Sequence, residues 1–238
     1  MATESSLPDP ARVGAIIASA GASLRMDGVD KTLIPLGGEP LIARTVEVFE
    51  RSPHVGSIVL MVAERNVEAV RRLAAERGWT KLAGVFAGGE RRQDTVRLGL
   101  AALPACDWVV VHDGARPLVG GALIADGLAA AVPTGAAIPG LPAAETVKRV
   151  AADGHVIETL ERAALVIAQT PQVFRRDVLE RAHREVAVDV TDDAAMVERL
   201  GVEVRVFAGD PANVKVTTRT DLAVAEALLA SARERAGA

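Results

Sequence analysis

Short apolar runs alternate with stretches of helical period along most of this chain, and that rhythm restricts its fold more than any other feature. The runs at 13–17, 57–63, 82–86, 108–111 and 136–138 are rich in Val, Ile and Ala and read as buried strands. Between them, 41–50, 67–77, 93–102 and 122–131 read as helices covering those strands. A β-α-β-α order predicts a parallel sheet with right-handed crossovers and helices on both faces. The fold class is therefore α/β, a single doubly wound, mostly parallel sheet of Rossmann-like kind. Its core must be aliphatic, because 50% of the 238 residues are hydrophobic while only 3% are aromatic and Tyr is absent.

The rhythm breaks between Leu141 and Ala168. Residues 146–150 and 155–159 flank Ala152-Asp153-Gly154, and an Asp-Gly pair between two apolar-polar runs is a hairpin signal. A two-stranded ribbon buries little by itself. The segment 141–168 is thus expected to project as a β-arm and to pair with a second copy, giving a homodimer. Helices over 177–185 and 192–200, strands at 204–207 and 213–216 and a last helix over 221–233 complete the reading. Residues 1–11 lack periodicity and read as a disordered tail before one domain, 12–238.

Charge and cysteine usage exclude several functions. A net charge of −4 argues against non-specific nucleic-acid binding. Cys106 is the sole cysteine, so no intramolecular disulfide forms, and a reducing, cytoplasmic location fits. Residues 13–23 imitate a signal peptide, but Glu4 and Asp9 precede them against a single Arg12, where a secretory signal carries net positive charge. The Ala/Gly-rich stretch 120–144 is interrupted by Asp126, Pro133, Pro139 and Pro142 and reads as no membrane span.

In open α/β sheets, ligands bind beyond the carboxyl ends of the strands. The residues that follow the strands here are Ser19 to Lys31, Gly88 to Thr95, and His112 to Pro117, with Lys215 and Thr217 near the end of the last. Small residues around Gly21 expose N–H donors that can cradle phosphate oxygens, and Arg25 and Lys31 follow closely. Neither the Walker A nor the Gly-x-Gly-x-x-Gly pattern fits this loop. A rim holding Arg25, Lys31, Arg116 and Lys215 with few acids suits a polyanionic small ligand and one divalent metal ion. Other residues read more plainly. His112 is expected to be a satisfied structural histidine, and Cys106 a small buried hydrophobe. Asp192 and Asp193 start a helix, where acids complement the dipole, and Asp192 is also a candidate substrate contact. Arg91-Arg92 is too short a run to mean nucleic acid.

Seven motifs occur in order: Ala-Gly-x-x-x-Arg-Met (20–26), Gly-Gly-x-x-Arg-x-x-Thr-Val (88–96), His-Asp-Gly-Ala-Arg-Pro (112–117), Thr-Val-Lys-Arg (146–149), Gln-Thr-Pro-Gln-x-Phe (169–174), Thr-Asp-Asp-Ala (191–194) and Asn-Val-Lys-Val-Thr (213–217). Together they resemble the 2-C-methyl-D-erythritol 4-phosphate cytidylyltransferase family of the non-mevalonate isoprenoid pathway. The resemblance implies a nucleotidyltransferase fold and the transfer of CMP from CTP to the polyol phosphate, with Mg²⁺ or another divalent cation as cofactor. It implies that Arg25 and Lys31 stabilise the pentacoordinate phosphorus, and that Arg162 and Lys215 position the attacking phosphate. Ser19, Ala20 and Gly21 would hold CTP, Gly89, Glu90 and Thr95 would read the cytosine, and Gly114 would belong to the same nucleotide site. Asp113 would contact substrate hydroxyls or help to hold the metal, with Arg116 nearby. Thr170 would line the substrate pocket, while Thr146 and Arg162 would complete the neighbouring subunit's site. The family pattern usually has Gly where Ser23 stands, Pro at Asp30, Ala at Gly114 and Asp at Glu145. Ribitol 5-phosphate is the alternative acceptor, and a nucleotide sensor without catalysis is the alternative class.

Overall fold

In the computed structural model, residues 7–21 and 32–237 are described. Strand β1 (Val13–Ser19) is followed by a small hairpin, β2 (Pro35–Leu36) and β3 (Glu39–Pro40), that runs straight into α1 (Leu41–Arg51). Three β-α units come next: β4 (Ser57–Val62) with α2 (Val67–Arg77), β5 (Leu82–Ala87) with α3 (Arg92–Ala102), and β6 (Trp108–Asp113) with α4 (Gly121–Ala131). After β7 (Ala136–Pro142) the arm departs as β8 (Lys148–Val150) and β9 (Val156–Thr159). The chain returns through β10 (Val166–Ala168) and β11 (Gln172–Arg175) to α5 (Arg176–Glu185) and α6 (Asp193–Arg199), then β12 (Arg205–Ala208) and α7 (Arg219–Gly237).

The main sheet runs β10-β7-β11-β6-β1-β4-β5, with β12 added in parallel beside β7. Because successive strand residues point to opposite faces, β1 divides its side chains between two cores. Val13, Ala15 and Ile17 pack with Phe49 of α1, Val70 of α2 and Leu128 of α4. Ile16 faces the other way, into Val96 and Leu100 of α3, Leu179 of α5 and Met196 of α6. Helices therefore cover both faces, as expected, and β1 lies between β4 and β6 in the buried centre. A third, smaller core of Leu36, Leu41, Val216 and Ala225 fastens α7 to the β2–β3 hairpin. No described helix is long and apolar enough to cross a membrane.

The sheet is mostly parallel, as expected; β11 inserts antiparallel between β6 and β7, and β10 pairs antiparallel with the end of β7. These runs of three and four residues are too short to carry a period of their own. The strand expected at 213–216 does not form. Asn213 and Val216 are fully buried, yet the segment crosses as a strap, with the Val216 N–H donating to the carbonyl of Ala115 at 2.8 Å. Within the stretch expected to be a loose tail, Asp9 caps a 3₁₀ turn at Pro10–Arg12, so structure begins before residue 12. The arm forms as a separate two-stranded sheet around a Gly154 turn at φ +88°, held by the Arg149–Glu158 ion pair.

His112, near the end of β6, is fully buried against Phe49, with ring centroids 5.1 Å apart. The Asp113 N–H donates to Thr170 Oγ1 at 3.0 Å, so the threonine hydroxyl is free to donate to His112 Nδ1, also 3.0 Å away. His112 Nε2 then carries the proton and donates to the carbonyl of Arg116 at 3.2 Å. Both ring nitrogens are satisfied in the neutral form, which is the structural role expected for this residue. Burial pushes its pKa down to about 4, against partial opposition from Asp113. The unfolded chain therefore binds this proton first as pH falls, so stability is full above about pH 6.5 and declines toward pH 4. Urea denaturation at pH 7 and pH 5 should show a loss of about 2 kcal/mol from this residue. His112→Gln should flatten that slope, and an unchanged slope would contradict the assignment.

Candidate active site

The carboxyl ends of β1, β5 and β6 open onto one hollow of about 600 Å³, its mouth included. Ala18 to Gly21 form one wall, Gly89 to Arg92 and Thr95 another, and Asp113, Ala115 and Lys215 the floor. Close approach of the β1 and β5 loops depends on Gly88, where a Cβ would run into that of Ala20 and lie 2.8 Å from Thr95 Oγ1. The Gly89 N–H donates to Thr95 Oγ1 at 3.1 Å, and the hydroxyl reaches the carbonyl of Arg91 at 3.2 Å. Thr95 thus shapes the loop that presents Gly89 and Glu90. Ser19, buried at the end of β1, lies 3.3 Å from the hydroxyl of Thr32.

Electrostatics at the floor centre on Asp113, the last residue of β6. Its Oδ2 accepts from Lys215 Nζ at 2.7 Å and lies 3.8 Å from Arg116 Nε, while Oδ1 accepts from Arg92 Nε at 3.2 Å. Burial alone would raise the pKa of this carboxyl, but Arg92, then Lys215 and Arg116, hold it well below the usual carboxylate range. Arg92 also donates through Nη1 to Asp193 Oδ2 at 2.6 Å, and Asp193 is fully buried. Burial alone would lower the pKa of Arg92, yet Asp193 and Asp113 raise it above normal. Arg116, whose pKa is lowered by burial, donates to the carbonyl of Asn213 at 2.7 Å, and Asn213 Nδ2 donates to that of Thr170 at 2.7 Å. The strap is thereby tied to the loop before β11, which sets the course of the backbone at Lys215.

A second hollow adjoins this cluster. Arg116, Ala168 to Thr170, Gln172, Thr191 and Asp192 line it, and Arg92, Asp113 and Lys215 line both hollows. The three shared residues form a charged partition. Gln172 donates to Asp192 Oδ2 at 2.7 Å, while its own Oε1 and the Nη2 of Arg92 are buried with no hydrogen-bond partner. These orphaned atoms suit water or the polar groups of a bound molecule.

Of the residues expected at the site, Ser19, Ala20, Gly21, Gly89, Glu90 and Thr95 line the first hollow. Arg116 and Thr170 line the second, and Asp113 and Lys215 the partition. Gly114 lines neither. It lies behind Ser19, where a Cβ would come 2.7 Å from that of Ser19, so its lack of a side chain serves packing. Thr146 and Arg162 also lie off both linings, and Arg162 donates to the carbonyl of Ala144 at the base of the arm. Arg25, Lys31, Ser23 and Asp30 fall outside the described residues. Sequence reasoning missed Arg92, although it stands in the Gly-Gly-x-x-Arg motif. The available signal was its place at the start of α3, where a cation opposes the helix dipole and implies a local acid.

The arrangement offers little to a metal. Among the described residues no group of three His, Cys, Asp or Glu side chains is placed to hold a metal ion. Both oxygens of Asp113 are already engaged by cations, so in this geometry it does not fit the role of metal ligand.

Known proteins place these features in context. A family profile described as IspD: 2-C-methyl-D-erythritol 4-phosphate cytidylyltransferase matches residues 13–231. A relative of that name from Dehalococcoides mccartyi (strain CBDB1) is 46% identical over 222 residues, covering 93% of this chain and 98% of its own. The solved 4-diphosphocytidyl-2C-methyl-D-erythritol synthase of Anaerococcus prevotii superposes with a TM-score of 0.81 at 26% identity, over 91% of this chain and 97% of its own. The 2-C-methyl-D-erythritol 4-phosphate cytidylyltransferase of Thermus thermophilus does so at 0.73 and 31%, over 90% and 97%. With the profile spanning both hollows and the partition between them, the chain belongs to the 2-C-methyl-D-erythritol 4-phosphate cytidylyltransferase family of nucleotidyltransferases.

Proposed function

We propose that the enzyme transfers CMP from CTP to 2-C-methyl-D-erythritol 4-phosphate, with CTP in the first hollow and the polyol phosphate in the second. The single observation behind this reading is the partition of Arg92, Asp113 and Lys215, which faces both hollows. An oxygen of the acceptor phosphate attacks the α-phosphorus of CTP. The bond to the bridging oxygen breaks, and pyrophosphate leaves with the electron pair. A phosphate monoester is already anionic, so no strong base is needed. The difficulty is repulsion: at ~4 Å and an effective dielectric near 20, each pair of unit charges opposes approach by about 4 kcal/mol. Fixed cations that hold the two reactants in line and take up the added charge meet that requirement. Lys215, at the partition, is suited to the incoming phosphate, while Arg25 and Lys31 are assigned to the phosphorus that gains a fifth oxygen. A divalent ion such as Mg²⁺ would, when bound, add positive charge beside the triphosphate.

The arm is assigned to a homodimer in which Thr146 and Arg162 reach the partner's second hollow. Support comes from its exposed apolar side chains, Val150, Val156 and Ile157, together with Val166 and Ile167 on the adjoining β10. The enzyme is placed in the cytoplasm, where its single buried cysteine stays reduced.

Pyrophosphate release with CTP and a panel of polyol phosphates tests the assignment directly. Release with methylerythritol phosphate is expected, whereas release with ribitol 5-phosphate alone would reject the acceptor, and no release with any acceptor would leave only a sensor. Lys215→Ala, Arg25→Ala and Lys31→Ala should each lower kcat by roughly 10²-fold or more, and near-normal turnover in any of them would remove that residue from its role. For the arm, Lys215→Ala and Arg162→Ala alone should each leave only a small residual activity. Refolded together, they should recover about a quarter of wild-type activity, because half of the dimers are mixed and one of their two sites is intact. No recovery, or a monomer in light scattering, would place Arg162 in its own subunit's site or outside catalysis.

A further inference from the structure

We propose that Arg92 and Asp193 are positioning residues that act through Asp113 to fix the ammonium of Lys215 at the partition, an inference that rests on the transfer reaction above. Asp113 has two carboxylate oxygens and three cations around it, so its neighbours compete. A guanidinium facing a carboxylate ordinarily engages both oxygens as a fork. Here Arg92 is shared between two acids instead. Asp193 Oδ2 takes Nη1 at 2.6 Å, Nε reaches Asp113 Oδ1 at 3.2 Å and Nη2 has no hydrogen-bond partner, so Asp113 receives a single bond from this guanidinium. Oδ2 of Asp113 is thereby available to Lys215 at 2.7 Å, shorter than its 3.8 Å separation from Arg116 Nε.

The relay is built from rigid parts. Arg92 begins α3, Asp113 ends β6 and Asp193 begins α6. Asp193 is fully buried, and its second oxygen lies 3.3 Å from Nε2 of the buried His183. Lys215, by contrast, sits on a strap outside any ladder, with two-fifths of its side chain exposed. A long, partly solvated amine of this kind needs an external reference to hold one position, and the Asp113 oxygen left over by Arg92 supplies it. Asp193 itself lines neither hollow, and its direct link to the partition is the bond from Arg92.

A double-mutant cycle on the full-length enzyme separates this from simple structural support. Asp193→Asn keeps the shape and removes the charge; Arg92→Lys keeps the charge and removes the guanidinium that spans both acids. Each should lower kcat by about 10-fold or more, since small displacements of a catalytic group carry such losses, with KM for CTP changed less than about 3-fold. In a Lys215→Ala background the same substitutions should change kcat by less than about 2-fold, because the group they position is gone. Multiplicative losses in that background, or full turnover in either single variant, would overturn the proposal. If thermal melting shows that neither variant folds, the pair is structural and the proposal falls. A wild-type enzyme inactive with CTP and methylerythritol phosphate would instead defeat the reaction assignment, so the two failures are told apart.

Discussion

A buried carboxylate at the end of a central strand orders much of this molecule around itself. Asp113 sits where β6 leaves the sheet, and three cations from α3, the loop after β6 and the carboxyl-terminal strap converge on it. Removing one partner from a buried ion pair typically costs about 3–5 kcal/mol, because the remaining charge is left without solvent. The elements that supply the partners are therefore held in register with the sheet. The same backbone position links to Thr170 and through it to His112, so core packing and the charged floor share one set of hydrogen bonds. An electrostatic arrangement this fixed is what a reaction between two phosphates requires, since the donors need no rearrangement when charge develops.

Most of the architecture was legible in the order of apolar runs, because strands buried on both faces and helices with one apolar stripe leave strong signals. The run at 67–77 coincides with α2, and Gly78, in the left-handed conformation, ends it. What escaped detection was short or held by contacts distant in sequence. β11 is four residues long and is specified by neighbours on both sides rather than by its own pattern. The 213–216 strap has strand-like composition, but its N–H groups find a loop instead of a ladder.

The site was legible to the extent that motifs follow strands. Ser19 to Gly21, Gly89, Glu90 and Asp113 could be located by that rule alone, and they line the first hollow together. Gly114 satisfied the same rule and serves another purpose, since adjacency to a strand end cannot distinguish a residue facing the ligand from one facing the next loop. Arg92 showed in the sequence only as a cation at the start of α3, and its two partner acids could not be named, because they come from 21 and 101 positions away.

The antiparallel placement of β11 bears on the order in which the chain can assemble. β6 and β7 do not pair with each other; each meets β11 instead, and β11 lies about 60 residues beyond β6 in sequence. During synthesis, the β5-β4-β1-β6 half can form while β6 still presents an unpaired flank, a template for mispairing. The two half-sheets can join only after the arm has been made and the ribosome has released β11, a late wedge between them, and β12 is added beside β7 later still.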